Sequence, residues 1–487
     1  MTNGPLDLAL RSAWPCPSID NLLRAVALND MPMAAAAWHD FESRSDFGNL
    51  TWGESRLISL AAKRMAQLAP SSPFRPRVAG IERSIWSRSQ LAIGEVAPIL
   101  RALQAAKVDM LVIKGASRAA SGDPADRGRS VNDVDICVHP EDMERAFDIA
   151  TGKGWVPSGS GTILYHRSVL PDAVGINLVH GKFGNLDLHR TAFQAPYDRN
   201  EDDDAIWSRS LSGKLGYADV RIPSPTDTVA IAIGHGALEA HKRSDWLADI
   251  AAAIDAGVDW DLLADILGRR RMSAAGAIAL GYMRERLERP VPPWMLERLM
   301  QEARRKPSGF VAAIAETSPK ADTFSLYWLA RLWAKQSRLI RAYRKKAKRQ
   351  RLVLASILPA RRGTAQEPSV LEQVLRLPDR TQGEAWTGTI DMTMLAELPA
   401  ASRRVDFEIN TKNRHHVRLR AFVRNRGPRE RLLRFRFSLS LASGDVNPVI
   451  AAAPSRSFNT DAPQEMLDRY RAVKFCVLSL TARPTRA

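Results

Sequence analysis

Cysteine is scarce: Cys16, Cys137 and Cys476 are the three in 487 residues. They stand far apart, with no metal-ligand spacing and no disulfide framework, which implies a reducing compartment. Long apolar runs are missing as well. No stretch approaches the roughly 20 residues that span a bilayer. The first residues, Met1-Thr2-Asn3-Gly4-Pro5-Leu6-Asp7, lack the basic start and apolar run of a signal peptide. The expected location is cytoplasmic. Repeats and long low-complexity tracts are absent, which excludes a solenoid. Acid is missing from one region only. Between Asp322 and Glu367 there are twelve Lys and Arg and no carboxylate, and removing those twelve from the net charge of +17 leaves +5. The basic character is therefore local. A helix over 324–358, densest in charge at 331–351, carries Arg338, Arg341, Arg344, Lys345 and Lys346 beside Leu339, Ile340 and Tyr343. Such a face suits plain solvation, an anionic membrane surface at the inner membrane, or nucleic acid phosphates.

Against these absences stands an apolar content of 45% with 25% charged residues, enough for real cores. The length suggests two to four domains. Residues 1–80 read as short helices, with Leu22, Leu23, Ala25 and Val26 on one stripe. A long helix over 81–106 leads into a strand at Met110–Ile113. Residues 81–223 alternate helix and strand, with strands expected across 162–189, and predict an α+β core with a small mixed sheet. Residues 224–310 are helical, in four segments rich in Ala and Leu, and 311–365 form a basic helix or linker. From 366 to 487 the period becomes two, as in Val405, Phe407, Ile409 and in Leu433, Phe435, Phe437, Leu439. That alternation marks half-buried antiparallel strands and a C-terminal β domain.

The chemistry concentrates at Asn132-Asp133-Val134-Asp135-Ile136-Cys137-Val138. Aspartate is a poor strand former, yet here two interrupt an apolar strand. Positions i and i+2 of a strand share a face, so both carboxylates aim at one place. Lys114-Gly115 follows the upstream strand as a turn. Asp187 lies downstream in Asn185-Leu186-Asp187-Leu188-His189. Three carboxylates on strands beside a Lys-Gly turn are what phosphoryl or nucleotidyl transfer with magnesium requires. Magnesium takes hard oxygen ligands, and two ions about 4 Å apart can steady both the attacking and leaving oxygens.

These residues carry a resemblance. Leu111-Val112-Ile113-Lys114-Gly115, then Arg129 four residues before Asp133-Val134-Asp135, then Asp187-Leu188-His189 resemble an uncharacterised bacterial nucleotidyltransferase family of the polymerase-beta superfamily. Ile222-Pro223-Ser224-Pro225-Thr226-Asp227, His235, Trp246-Leu247-Ala248-Asp249-Ile250, Asp259-Trp260 and Pro290-Val291-Pro292-Pro293 are similar to its helical half. The likeness spans roughly residues 20–295 and leaves out the β domain. It implies a polymerase-beta-like core that moves a nucleoside monophosphate from a nucleoside triphosphate to an acceptor hydroxyl. Asp133, Asp135 and Asp187 would hold two Mg2+ ions and form the catalytic set. Lys114, Gly115, Arg129 and His189 would bind the nucleotide. The chain departs from the wider superfamily at Ala116, where a phosphate-touching Ser is usual.

Plainer readings stand beside these. Lys114 and Arg129 suit salt bridges to the aspartates as well as contacts to triphosphate. His189 could order Asp187 or the acceptor, or simply be a hydrogen-bonded structural residue. His235 reads first as a packed helix residue, and Asp249 as a partner for His235 or Arg243. Cys137 reads as a small buried residue. Two other functions remain open: a degenerate fold that binds nucleotide without turnover, and a toxin-like enzyme that modifies transfer RNA.

Overall fold

The computed structural model describes residues 10–123, 128–158, 163, 166–167, 170, 173–194, 197–198, 203–239, 241, 243–305, 307–319, 372–377, 380, 384–397, 404–410, 416–422, 430–445, 447–454 and 474–484. The basic segment 331–351 lies outside the described residues. Among those described, no helix is long and apolar enough to cross a membrane. The chain divides into two compact units, Met1–Val138 with His189–Tyr343, and His139–Leu188 with Arg344–Ala487.

The first unit opens with helices α1 (Pro17–Ala27), α2 (Met31–Arg44), α3 (Trp52–Ala61), α4 (Met65–Leu68) and the long α5 (Arg75–Ala105). Helix α3 starts at a capping box. Thr51 Oγ1 accepts from the Glu54 amide at 3.2 Å, and the Glu54 carboxylate accepts from the Thr51 amide at 2.9 Å. This reciprocal pairing satisfies two donors that a helix start otherwise leaves open. After α5 come β1 (Leu111–Ile113) and α6 (Lys114–Ser121). The expected Lys-Gly turn is thus the start of a helix, with Lys114 itself at φ +57°. Strand β2 (Val134–Cys137) runs antiparallel to β1 and is buried along its whole length.

The second unit contributes α7 (Met143–Gly152) and strands β3 (Val156–Pro157), β4 (Gly175–His180) and β5 (Gly184–His189), in spatial order β3-β4-β5. The last residue of β5, His189, belongs to the first unit. Among the described residues of 162–189, strand structure begins at Gly175, and 163, 166 and 167 are helical.

The first unit resumes with α8 (Asp203–Arg209) and the hairpin β6 (Leu211–Leu215) and β7 (Ala218–Ile222). Its strands lie in the order β2-β1-β7-β6, with β7 parallel to β1. The sheet is therefore mixed. Helices α9 (Pro225–Gly236), α10 (Asp245–Asp255), α11 (Trp260–Arg269), α12 (Ser273–Arg286), α13 (Pro293–Arg304) and α14 (Pro307–Thr317) follow. Ser224 caps α9 by accepting from the Asp227 amide, with Pro225 at the first helical position, where no donor is lost. One core joins α1 to the later helices through Leu22, Leu23, Trp38, Leu57, Ile250, Leu280 and Met283.

In the second unit β8 (Glu372–Val374), β9 (Trp386–Glu397), β10 (Arg404–Asn410), β11 (His416–Phe422), β12 (Glu430–Leu441), β13 (Val449–Pro454) and β14 (Lys474–Pro484) form two antiparallel sheets, ordered β11-β10-β13-β8 and β12-β9-β14. Ile390, Met392 and Met394 from one sheet share a core with Val405, Phe407 and Ile409 from the other. Arg420 donates to the buried Asp406 at 3.1 Å, and Arg436 to Asp391 at 2.6 Å.

Candidate active site

The register of β1 and β2 builds the centre. Ile113 stands opposite Asp135, so the next residue, Lys114, emerges beside that carboxylate. Lys114 Nζ lies 2.5 Å from Asp135 Oδ1, and His189 Nε2 lies 3.0 Å from the same oxygen. Asp135 is 2% exposed. A carboxylate that deep needs partners to stay charged, and it has a cation and an imidazole.

Asp187 stands two residues before His189 on β5 and shares its face. Asp135, Asp187 and His189 offer ligand atoms that all lie within 4.8 Å of one another. Two ligands on opposite sides of an ion with bonds of about 2.1 Å stand about 4.2 Å apart, so the spacing fits one divalent cation. Two carboxylates suit magnesium or manganese, while the imidazole tilts the set toward manganese or zinc. Asp133 lies outside that group. It sits half-buried at the mouth of β2 and lines an adjoining cleft with Lys114, Gly115, Arg129 and Asp135.

Helices α9 and α10 form the far wall of the cleft through Thr228, Ile231, His235, Asp245, Trp246 and Asp249. Asp245 and Asp249 are four residues apart and project from one face of α10. Between them and the sheet lies a buried ionic lattice. Arg129 donates to Asp249 through Nε at 2.8 Å and Nη2 at 2.6 Å, to the Ser130 carbonyl at 3.0 Å, and to Asp245. Arg56 from α3 donates to Asp245 at 2.8 Å and to Ser130 Oγ at 3.0 Å. Burial works against the Arg129 charge, but Asp245 and Asp249 more than offset it, so its pKa is raised. Burial also works against the Asp245 carboxylate, and Arg129 and Arg56 override it, holding its pKa below the ordinary value. Arg129 and Asp245 therefore both favour their charged forms. The lattice ties α3, the segment before Asp133 and α10 together.

Three sequence expectations change here. The salt bridges of Arg129 are made to Asp245 and Asp249 on α10, and Asp133 adds only a weaker charge interaction. Asp249 pairs with Arg129 rather than with His235 or Arg243, since His235 Nε2 meets the Ala192 carbonyl at 2.9 Å and Arg243 meets Glu239 at 3.0 Å. A carbonyl only accepts, so His235 Nε2 carries the proton. Burial pushes the pKa of His235 well below its ordinary value, with the nearby Lys114 charge adding to the effect. The third change concerns Gly115. A Cβ there would stand 3.1 Å from the Arg129 guanidinium and from the Ser130 carbonyl, so the glycine makes room for the lattice. Ala116 is buried, and Ser117 Oγ turns back to donate to the Lys114 carbonyl at 2.7 Å.

The sequence reading passed over Arg56 and Asp245. The spacing of Asp245 and Asp249 on an otherwise apolar helix was the available signal for the second. For Arg56 there was none.

Residues 53–288 match a family described as uncharacterised nucleotidyltransferase. That span holds every residue of the cleft and of the ligand cluster, and ends before β8. It supports an enzyme that transfers nucleotidyl groups, and with it a nucleoside triphosphate as donor. No curated protein and no solved structure matches the chain.

Proposed function

We propose that the chain is a metal-dependent nucleotidyltransferase built on a polymerase-beta-like core, which moves a nucleoside monophosphate from a nucleoside triphosphate to an acceptor hydroxyl. The observation that carries this reading is the buried Asp135 with Asp187 and His189 in ligand spacing, beside Asp133 and a cleft, inside the span that matches the family. The acceptor oxygen forms a bond to the α-phosphorus, the bond from that phosphorus to the pyrophosphate oxygen breaks, and the hydroxyl proton leaves toward a carboxylate. Divalent cations, Mg2+ in the leading reading, would supply positive charge at the attacking and leaving oxygens.

The chain's own residues do the rest. Asp135 and Asp133 present carboxylates from one strand and its mouth, and would hold the ions between sheet and cleft. Asp187 would help to activate the acceptor hydroxyl. His189 orients Asp135 through its hydrogen bond. Lys114, which lines the cleft, would bring positive charge to the donor phosphates. Arg129 holds the segment that delivers Asp133.

A second reading, a fold that binds nucleotide without turnover, draws support from one observation. Lys114 and Arg129, the two cations expected to meet the triphosphate, are both engaged by protein carboxylates. One experiment separates the two. The protein is incubated with each labelled nucleoside triphosphate, magnesium and cell extract, and label transfer and pyrophosphate are followed. Asp133→Asn and Asp135→Asn should abolish both signals. Wild type and variants that behave alike while all bind nucleotide would leave only the binding reading.

A further inference from the structure

The ammonium of Lys114 sits where a metal ion's charge would act. Its Nζ is 2.5 Å from Asp135 Oδ1, and Asp135 belongs to the group that has ligand spacing with Asp187 and His189. A dication seated on that group would draw on the same carboxylate. An ammonium held against it would repel the ion at close range in a partly buried site, where charges interact more strongly than in water. The two cannot share Asp135 on equal terms.

The backbone at this lysine is strained. Lys114 has φ +57°, a left-handed conformation that costs a residue with a Cβ about 1 kcal/mol or more. Glycine would adopt it freely, yet the chain places its glycine one position later. Lys114 follows Ile113, whose register partner is Asp135, and its side chain reaches that carboxylate. The side chain remains 28% exposed and lines the cleft, so the ammonium has open space to move into.

We infer that Lys114 is a resident counterion for Asp135, which a divalent cation displaces into the cleft, where it meets the phosphates of the donor. This rests on the nucleotidyltransferase reading and deepens it. The empty site would keep its buried carboxylate neutralised, and metal binding would release the charge that triphosphate binding needs. Metal and nucleotide would then strengthen each other's binding through one side chain, and the coupling is reciprocal.

The test measures Mn2+ affinity of the full chain by paramagnetic resonance, without nucleotide and with a non-hydrolysable triphosphate analogue. It compares wild type, Lys114→Met, Lys114→Gly and Asp135→Asn. The glycine variant also relieves the positive φ, so it keeps the fold if the methionine variant does not. Both lysine variants should bind Mn2+ alone about tenfold more tightly than wild type, equivalent to about 1.4 kcal/mol. The analogue should raise their Mn2+ affinity less than it raises that of wild type. Equal or weaker Mn2+ binding by either folded lysine variant overturns the inference, since the lysine would then merely brace the ligands. If Asp135→Asn binds Mn2+ as wild type does, the metal site itself fails, and the parent reading falls with it.

Discussion

Replacing Arg129 with methionine removes the guanidinium but keeps most of the side chain's volume. Asp249, which is 5% exposed, then loses both of its short bonds and keeps, among the described residues, the Arg118 guanidinium at 3.9 Å. Asp245 keeps Arg56. Removing one partner of a buried pair leaves an uncompensated charge and costs about 3–5 kcal/mol. Asp249→Leu should cost less, because Arg129 retains Asp245 and the Ser130 carbonyl. The double variant Arg129→Met with Asp249→Leu removes both charges together. Its loss should be about 2 kcal/mol smaller than the sum of the single losses, within the range seen for residues in one network. The measurement is hydrogen exchange of the 245–255 segment, whose opening free energy reports α10 directly. A loss below about 1 kcal/mol for Arg129→Met, or a double variant equal to the sum, would refute the idea that this lattice fastens α10 to the segment before Asp133.

Other outcomes follow from single residues. The pKa of His235 is depressed by folding, so below about pH 6.5 the unfolded chain binds more protons than the folded one. Its contribution is constant above pH 7 and falls as the medium becomes more acid, by about 1.4 kcal/mol at pH 5.5. His235→Asn should flatten the stability difference between pH 7.5 and 5.5 by that amount, and an unchanged slope would contradict it. Gly236→Ala would place a Cβ 2.1 Å from the Trp246 ring, forcing the indole off α9. A loss of about 1–3 kcal/mol and an altered tryptophan emission are expected. Thr51→Ala breaks the capping box of α3 and should lower stability by about 1 kcal/mol in a thermal melt. No change in melting would mean that α3 is held by its buried face alone.

How legible the molecule was depended on the range of the interaction. The buried runs of β1 and β2 announce themselves, because each residue's neighbours along the chain are enough to mark an apolar strand. Helices α9 to α12 show through Ala- and Leu-rich periodicity, punctuated by Gly257 and Pro290. Strand β13 is harder, since Val449-Ile450-Ala451-Ala452-Ala453 favours no single period. The hairpin β6–β7 is short and half polar, and α8 is only seven residues long.

Local sequence thus decided that Asp135 would stand in a buried strand with Asp133 just before it, that Lys114 would follow the neighbouring strand, and that Asp187 and His189 would share another face. Those relations follow from chain geometry over a few residues. Which charges meet was decided elsewhere. Asp249 is 120 residues from Arg129, and Asp245 is 189 residues from Arg56. Packing brings them to one lattice, and only there does burial make the pairing strong enough to dictate a partner. The same holds for Lys114 and Asp135, which are 21 residues apart and brought together by an antiparallel register that no residue preference announces.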